Sequence, residues 1–172
     1  MTSNPGGGFE PLLKVVIVGN GAVGKTSLIR RWCEGRFEHA RTVTIGVDFQ
    51  THRVVLPGGA VKLSIWDVAG QDRFATVREG FYRGARAAAL VYDLSQPESV
   101  ADLPRWLAEV QRREPAVDWL VVGNKCDLAA EASNAGAQFA AAHGKPFVLT
   151  SALSGQGVDE MFRLLAEIAH SH

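Results

Sequence analysis

Cysteine is scarce in this sequence: Cys33 and Cys126 are its only two, far apart and each inside a periodic segment. That excludes a disulfide framework and a cysteine-built metal cluster, and it suits a reducing compartment. Net charge is missing too. Eighteen basic residues are balanced by eighteen acidic ones, which removes the usual electrostatic case for nucleic acid or an anionic membrane surface. No apolar run approaches the roughly 20 residues that span a bilayer, and the opening MTSNPGGGFE has no apolar signal core. A soluble, cytoplasmic protein is expected. Repeats are absent as well. With 172 residues, 47% of them hydrophobic, the chain can bury one substantial core but is short for two domains.

Glycine and proline crowd residues 1–11, which read as a flexible leader to a single domain over 12–169, with 170–172 as a tail. Lys14 to Val18 reads as a buried strand ended by glycines, and Lys25 to Glu34 places Leu28, Ile29 and Trp32 on one helical face. Val47 to Leu56 and Val61 to Val68 flank Pro57, Gly58 and Gly59, turn chemistry that joins two strands as an antiparallel hairpin. Ala87 to Leu94 and Trp119 to Asn124 are continuous apolar runs, as parallel strands covered on both faces require, and KPFVLTS is a weaker third. Between them, Val100 to Val110, Ala135 to His143 and Val158 to Ala169 carry apolar residues three and four apart, as amphipathic helices do. The alternation predicts an α/β fold with a six-stranded, mainly parallel sheet, one antiparallel edge strand and helices on both faces.

The chemistry starts at Gly19. GNGAVGKT, Gly19 to Thr26, follows a strand and opens a helix, which is the context a phosphate-binding loop needs. Gly19, Gly21, Ala22, Val23 and Gly24 let the backbone wrap a β-phosphate, so that successive N–H groups and the helix N-terminus meet its charge. Lys25 reaches the β- and γ-phosphates, Thr26 offers a hydroxyl to Mg²⁺, and Ser27 completes the first turn. Asp67 ends a buried run in WDVAGQ, where an unpaired carboxylate is costly unless it meets a partner such as Mg²⁺. Gly70 lets its main-chain N–H approach a γ-phosphate, and Gln71 is placed to orient an attacking water. In NKCD the Asp127 carboxylate offers two acceptors to the N1–H and N2–H donors of guanine, a pattern that adenine lacks.

TIGVDF (Thr44 to Phe49), WDVAGQDRF (Trp66 to Phe74) and NKCDL (Asn124 to Leu128), in that order behind the phosphate loop, resemble the Rab branch of the Ras superfamily of small GTPases. The resemblance runs from about Leu12 to Ile168. It implies a P-loop NTPase fold and a GTP/GDP switch that slowly hydrolyses GTP; a non-hydrolysing GTP-binding scaffold is the alternative. It makes Thr44 the switch I threonine that ligates Mg²⁺ beside Thr26 and Asp67, and Asp67 to about Tyr82 switch II. It gives Asn124, Lys125, Asp127, Leu128, Ser151, Ala152 and Leu153 to the guanine site, with Phe37 over the base; Leu153 stands where the family usually has lysine. Effectors, exchange factors and GTPase-activating proteins are implied as partners through Phe49, Trp66 and Phe81, although Trp66 reads equally well as core. A monomer is expected.

Arg41 stands three residues before Thr44, the spacing of the built-in arginine of heterotrimeric G-protein α subunits; the bland alternative is an exposed loop arginine. Arg73, Arg78, Arg83 and Arg86 make switch II basic and read as a solvated face, with a docking surface for an acidic partner as the alternative. Cys126 is expected to be a buried small residue, His39, His52 and His143 to be isolated, and His170 and His172 to sit in a mobile tail. No lipid anchor is self-evident: the last residues are AHSH and the start is not Met-Gly, which leaves open a longer, lipidated chain or one without an anchor.

Overall fold

The computed structural model describes residues 8–38, 44, 46–129 and 135–172. Six strands form one sheet: β1 (Leu12–Val18), β2 (Val47–Leu56), β3 (Gly59–Val68), β4 (Ala87–Asp93), β5 (Asp118–Asn124) and β6 (Phe147–Leu149), in the spatial order β2-β3-β1-β4-β5-β6. Among the described residues only the β2–β3 pair is antiparallel. The helices are α1 (Lys25–Glu34), α2 (Ala75–Arg78), α3 (Leu103–Arg113), α4 (Ala135–Ala142) and α5 (Val158–His170). None is long and apolar enough to cross a membrane among the described residues.

The two-residue period of a strand divides the core. Val15 and Ile17 of β1, Ala87 and Ala89 of β4, and Leu120 and Val122 of β5 share a cluster with Leu28 and Ile29 of α1 and Met161, Phe162 and Leu165 of α5. Their neighbours Val16, Val18, Ala88, Leu90 and Val121 face the other way, onto Leu103, Trp106, Leu107 and Val110 of α3 and Ala140 of α4. Central strands buried on both faces are why these runs read as unbroken apolar segments. At the edge, β2 buries Val54 and Leu56 while Arg53 and Val55 stay exposed.

Boundaries differ from expectation where turns intervene. Leu56 pairs with Gly59, so the hairpin turn is Pro57-Gly58 alone and Gly59, at φ +138°, opens β3. The helix expected from Val100 starts at Leu103, because Pro97–Asp102 coils as a 3₁₀ segment first. At the start of the chain, Pro11 accepts a hydrogen bond from the Lys62 N–H at 2.9 Å and Glu10 pairs with Arg53 at 2.8 Å. At its end α5 runs through His170, and His172 lies 3.4 Å from Asp118, so neither histidine forms a detached tail.

Candidate functional site

The loops that follow β1, β3, β5 and β6 converge on one cleft of about 770 Å³. Its floor is the loop from Gly19 to Gly24. A Cβ on Gly19 would lie 2.2 Å from the Val91 carbonyl oxygen, and one on Gly24 would lie 2.3 Å from Asn124 Nδ2. Glycine is therefore required at both places by close approach, one against β4 and the other against the end of β5. Gly24 caps α1 without a side-chain hydrogen bond, and the first turn has no acidic residue. The positive end of that helix faces the cleft unopposed, a setting for an anion. Lys25 is buried there, its Nζ donating to the carbonyls of Gly19 and Asn20 at 2.8 Å each. Burial lowers its pKa to about 8, against the pull of the Asp67 carboxylate.

Beside Lys25, three oxygen side chains from three segments meet. The Thr26 hydroxyl lies 2.8 Å from that of Thr44 and donates to Asp67 Oδ2. Asp67 Oδ1 is buried with no hydrogen-bond partner among the described residues. Burial raises the Asp67 pKa, offset in part by the Thr26 hydroxyl and by Lys25. No group of three or more His, Cys, Asp or Glu among the described residues is arranged to hold a metal. Two hydroxyls and one carboxylate, with one buried oxygen unpartnered, are a donor set of the hard, oxygen-only kind that Mg²⁺ takes.

Gly70 meets the cradle backbone to backbone: a Cβ there would lie 2.3 Å from Gly19 O and 2.5 Å from Asn20 C and Gly21 N. Next to it Gln71 lines the cleft, and a Cβ on Gly21 would meet only its Cγ, at an ordinary 3.6 Å.

At the other end Asn124 is a buried tie. Its Nδ2 donates to the Val23 carbonyl at 2.9 Å and its Oδ1 accepts from Thr150 Oγ1 at 2.9 Å. Lys125, at φ +63°, donates to the Ala22 carbonyl at 2.8 Å and pairs with buried Asp93 at 2.8 Å. Ser151 Oγ donates to Asp127 Oδ1 at 2.7 Å, and Asp127 itself lines the cleft. Phe37, Leu128, Ala152 and Leu153 complete this wall, with Gly21, Ala22, Gly24, Thr26, Ser27 and Thr44 along the rest. Gly19, Val23, Asp67 and Ser151 do not line the cleft themselves but hydrogen-bond residues that do: Lys25, Asn124, Thr26 and Asp127 respectively. Arg41 lies outside the described residues.

Several residues were not foreseen. Arg30 and Glu38 also line the cleft, joined at 2.9 Å, with nothing in their spacing to announce it. Asn20 ties the loop to the 3₁₀ segment and α3, donating to Asp102 at 2.7 Å and accepting from Trp106 Nε1 at 2.8 Å. Arg78 is not part of a solvated face: it is 1% exposed and paired with Glu109, whereas Arg73 and Arg83 are exposed. The legible signal was Glu109, a carboxylate set on the apolar stripe of α3. Cys126 is half-buried, its Sγ 3.6 Å from Gln156 Oε1, because its loop lies on the surface. Nor are His52 and His143 isolated: His52 sits 4.3 Å from the Trp32 ring, and His143 is 4.7 Å from Phe139 and 5.4 Å from Trp119.

On the outer face of β2 and β3, Phe49 stacks on Trp66 at 5.4 Å and Trp66 meets Phe81 at 5.8 Å. Phe49 is 59% exposed, so the group faces solvent at its β2 end while Trp66 packs partly against the core.

Comparison with known proteins agrees with this geometry. The Ras family profile matches residues 14–171. The chain is 39% identical over 162 residues to "Ras-related protein Rab-13" of Mesocricetus auratus, covering 92% of this chain and 80% of that one. It is 39% identical to "Ras-related protein Rab-1C" of Dictyostelium discoideum (92% and 81% covered) and 41% identical to "Ras-related protein RABA5b" of Arabidopsis thaliana (92% and 75%). A single cleft that joins an anion cradle to a carboxylate-bearing loop, on a sheet of this order, and a family match across nearly the whole length lead to one conclusion: the chain belongs to the Ras family, as a Rab-like small GTPase.

Proposed function

We propose that the cleft binds GTP and GDP with Mg²⁺ and that the domain, residues 12–169, signals its nucleotide state through two switch segments. One observation carries the reading: the anion cradle of Gly19 to Ser27 and the Asp127 carboxylate open into the same cleft. Lys25 and the main-chain N–H groups of Gly21 to Thr26 neutralise the phosphates. Thr26, Thr44 and Asp67 would hold the cation, which when bound offsets charge on the phosphate oxygens. Gln71 orients the attacking water, and Gly70 and Thr44 bring the two switches against the γ-phosphate. At the base end Asp127 accepts the two guanine N–H donors, held by Ser151; Lys125 and Phe37 flank the ring, and Ala152 and Leu153 contribute main-chain contacts.

Loss of the γ-phosphate removes an anchor shared by both switches, and their relaxation changes what a partner meets. Phe49, Trp66 and Phe81 bridge β2 and switch II, which suits them to report that change to effectors, exchange factors and activating proteins. Two free cysteines support a cytoplasmic setting. Arg41 as a built-in transition-state cation is tested by Arg41→Ala: an unchanged single-turnover rate without activator refutes it.

Asp127→Asn tests the guanine reading. An amide presents one donor and one acceptor where the carboxylate presents two acceptors, so GTP binding should weaken and xanthosine triphosphate should become the preferred ligand. Unaltered GTP preference, measured by competition on the purified domain, overturns it.

A further inference from the structure

The segment after Gln71 is a run of short turns: 3₁₀ at Asp72–Phe74, α2, then 3₁₀ again at Glu79–Phe81. Neither 3₁₀ turn buries a side chain. What fastens the run is polar. Arg78, fully buried, sends Nε and Nη2 to the two carboxylate oxygens of Glu109 on α3 at 2.5 and 2.8 Å, a two-pronged, charge-assisted pair. Tyr82 donates its hydroxyl to Glu109 Oε1 at 2.7 Å, and the guanidinium carbon stands 4.5 Å from the Trp106 ring centre. The remaining nitrogen, Nη1, points back along the chain and donates to the Gln71 carbonyl at 2.8 Å, with a weaker bond to Ala69 O at 3.4 Å.

A buried ion pair is weak as a source of stability, since desolvation consumes most of its attraction. What it supplies is a fixed position. Here the position supplied is that of the peptide carrying Gln71, seven residues upstream of the arginine. Glu109 stays ionised because burial, which would raise its pKa, is outweighed by Arg78 and Tyr82, and the carboxyl is held below its ordinary range.

We propose that Arg78, locked by Glu109 and Tyr82, is a positioning residue for GTP hydrolysis: it fixes the Gln71 main chain so that the Gln71 side chain stays directed into the cleft. The inference rests on the reading of Gln71 as the residue that orients water. It also makes α3 part of the hydrolytic apparatus, although no residue of α3 lines the cleft.

The test is single-turnover hydrolysis of pre-bound GTP, with the rate counted per bound nucleotide so that unfolded protein does not contribute. Arg78→Ala would strand a buried carboxylate and risks misfolding, so the informative variant is Arg78→Met with Glu109→Gln, which strands no charge and leaves Tyr82 an acceptor. Its rate should fall on the order of tenfold to a hundredfold, as expected for small misplacement of a reacting group, while GDP release stays at the wild-type rate. Arg78→Lys should be slow too, because one ammonium cannot span Glu109 and the Gln71 carbonyl together. Adding either change to Gln71→Ala should slow hydrolysis no further, since both act through one side chain. A wild-type rate in the double variant while Gln71→Ala is slow, additive losses, or GDP release quickened in step with the loss would overturn the positioning role. Gln71→Ala with an unchanged rate would instead overturn the reading of Gln71 itself, and the clamp with it.

Discussion

Substituting Gly70 by alanine puts the close approach of two backbones to a direct test. The added Cβ would lie 2.3 Å from Gly19 O and 2.5 Å from both Asn20 C and Gly21 N. Carbon and oxygen in contact need about 3.5 Å, so relief requires a shift of roughly 1 Å. All three obstructing atoms are main chain, and no rotamer can clear them. Either the switch moves off the cradle or the cradle deforms. Overpacking of this kind costs about 1–3 kcal/mol, and a 1 Å displacement of catalytic groups costs about 100-fold in rate. The assay pairs urea unfolding of the GDP-bound protein with single-turnover GTP hydrolysis. If the switch gives way, hydrolysis drops about 100-fold with GDP release little changed; if the cradle gives way, GDP release accelerates as well. Gly21→Ala is the control for folding, because its Cβ would touch only Gln71 Cγ at 3.6 Å, and its unfolding midpoint should match wild type. A Gly70→Ala protein with wild-type stability, GDP release and hydrolysis would refute the reasoning.

Two further outcomes follow from the buried carboxylates. Asp67→Asn retains an acceptor for the Thr26 hydroxyl but removes the charge beside the unpartnered oxygen, so Mg²⁺ binding to the nucleotide complex should weaken at least about tenfold, the lower end of what even an outer-shell metal partner contributes; unchanged Mg²⁺ affinity by titration would count against the donor set. Glu109 has a folded-state pKa below its ordinary value, so it adds stability above that ordinary value, about 4.3, and the contribution disappears as pH falls through the lower folded-state value. The stability gap between wild type and Glu109→Gln should therefore be open at pH 7 and close in acid, and a gap that stays constant from pH 7 down to pH 3 would contradict the ionised clamp.

Local motifs were the most legible part of this protein. The cradle is eight consecutive residues between a strand and a helix, so spacing alone brings Lys25 and Thr26 together, and the structure keeps them in one cleft with Asn124, Lys125 and Asp127. The sheet was legible because β1, β4 and β5 are covered on both faces and so are apolar without interruption. The starts of β3 and α3 differ from expectation because Gly59 already pairs with Leu56 and because Pro97 opens a 3₁₀ segment, tighter than periodicity can register, ahead of the helix at Leu103. Arg78 and Cys126 were misjudged for a different reason: composition says what a side chain is, and burial depends on what another segment brings to it. Arg78 is buried because α3, 31 residues further along, presents Glu109 at that point.

By itself the sequence determined which elements form and which groups could do chemistry, because hydrophobic period and contiguous glycine motifs are properties of neighbours along the chain. Only the tertiary structure decided which of those groups meet. Crossing the sheet brings Thr26, Thr44 and Asp67 within hydrogen-bond distance and leaves one Asp67 oxygen without a partner among the described residues. It sets the backbone of Gly70 against that of Gly19, and it fastens Gln71 to α3 through a buried arginine. Such contacts join residues tens of positions apart, where only the packing of strands and helices against one another sets the distance.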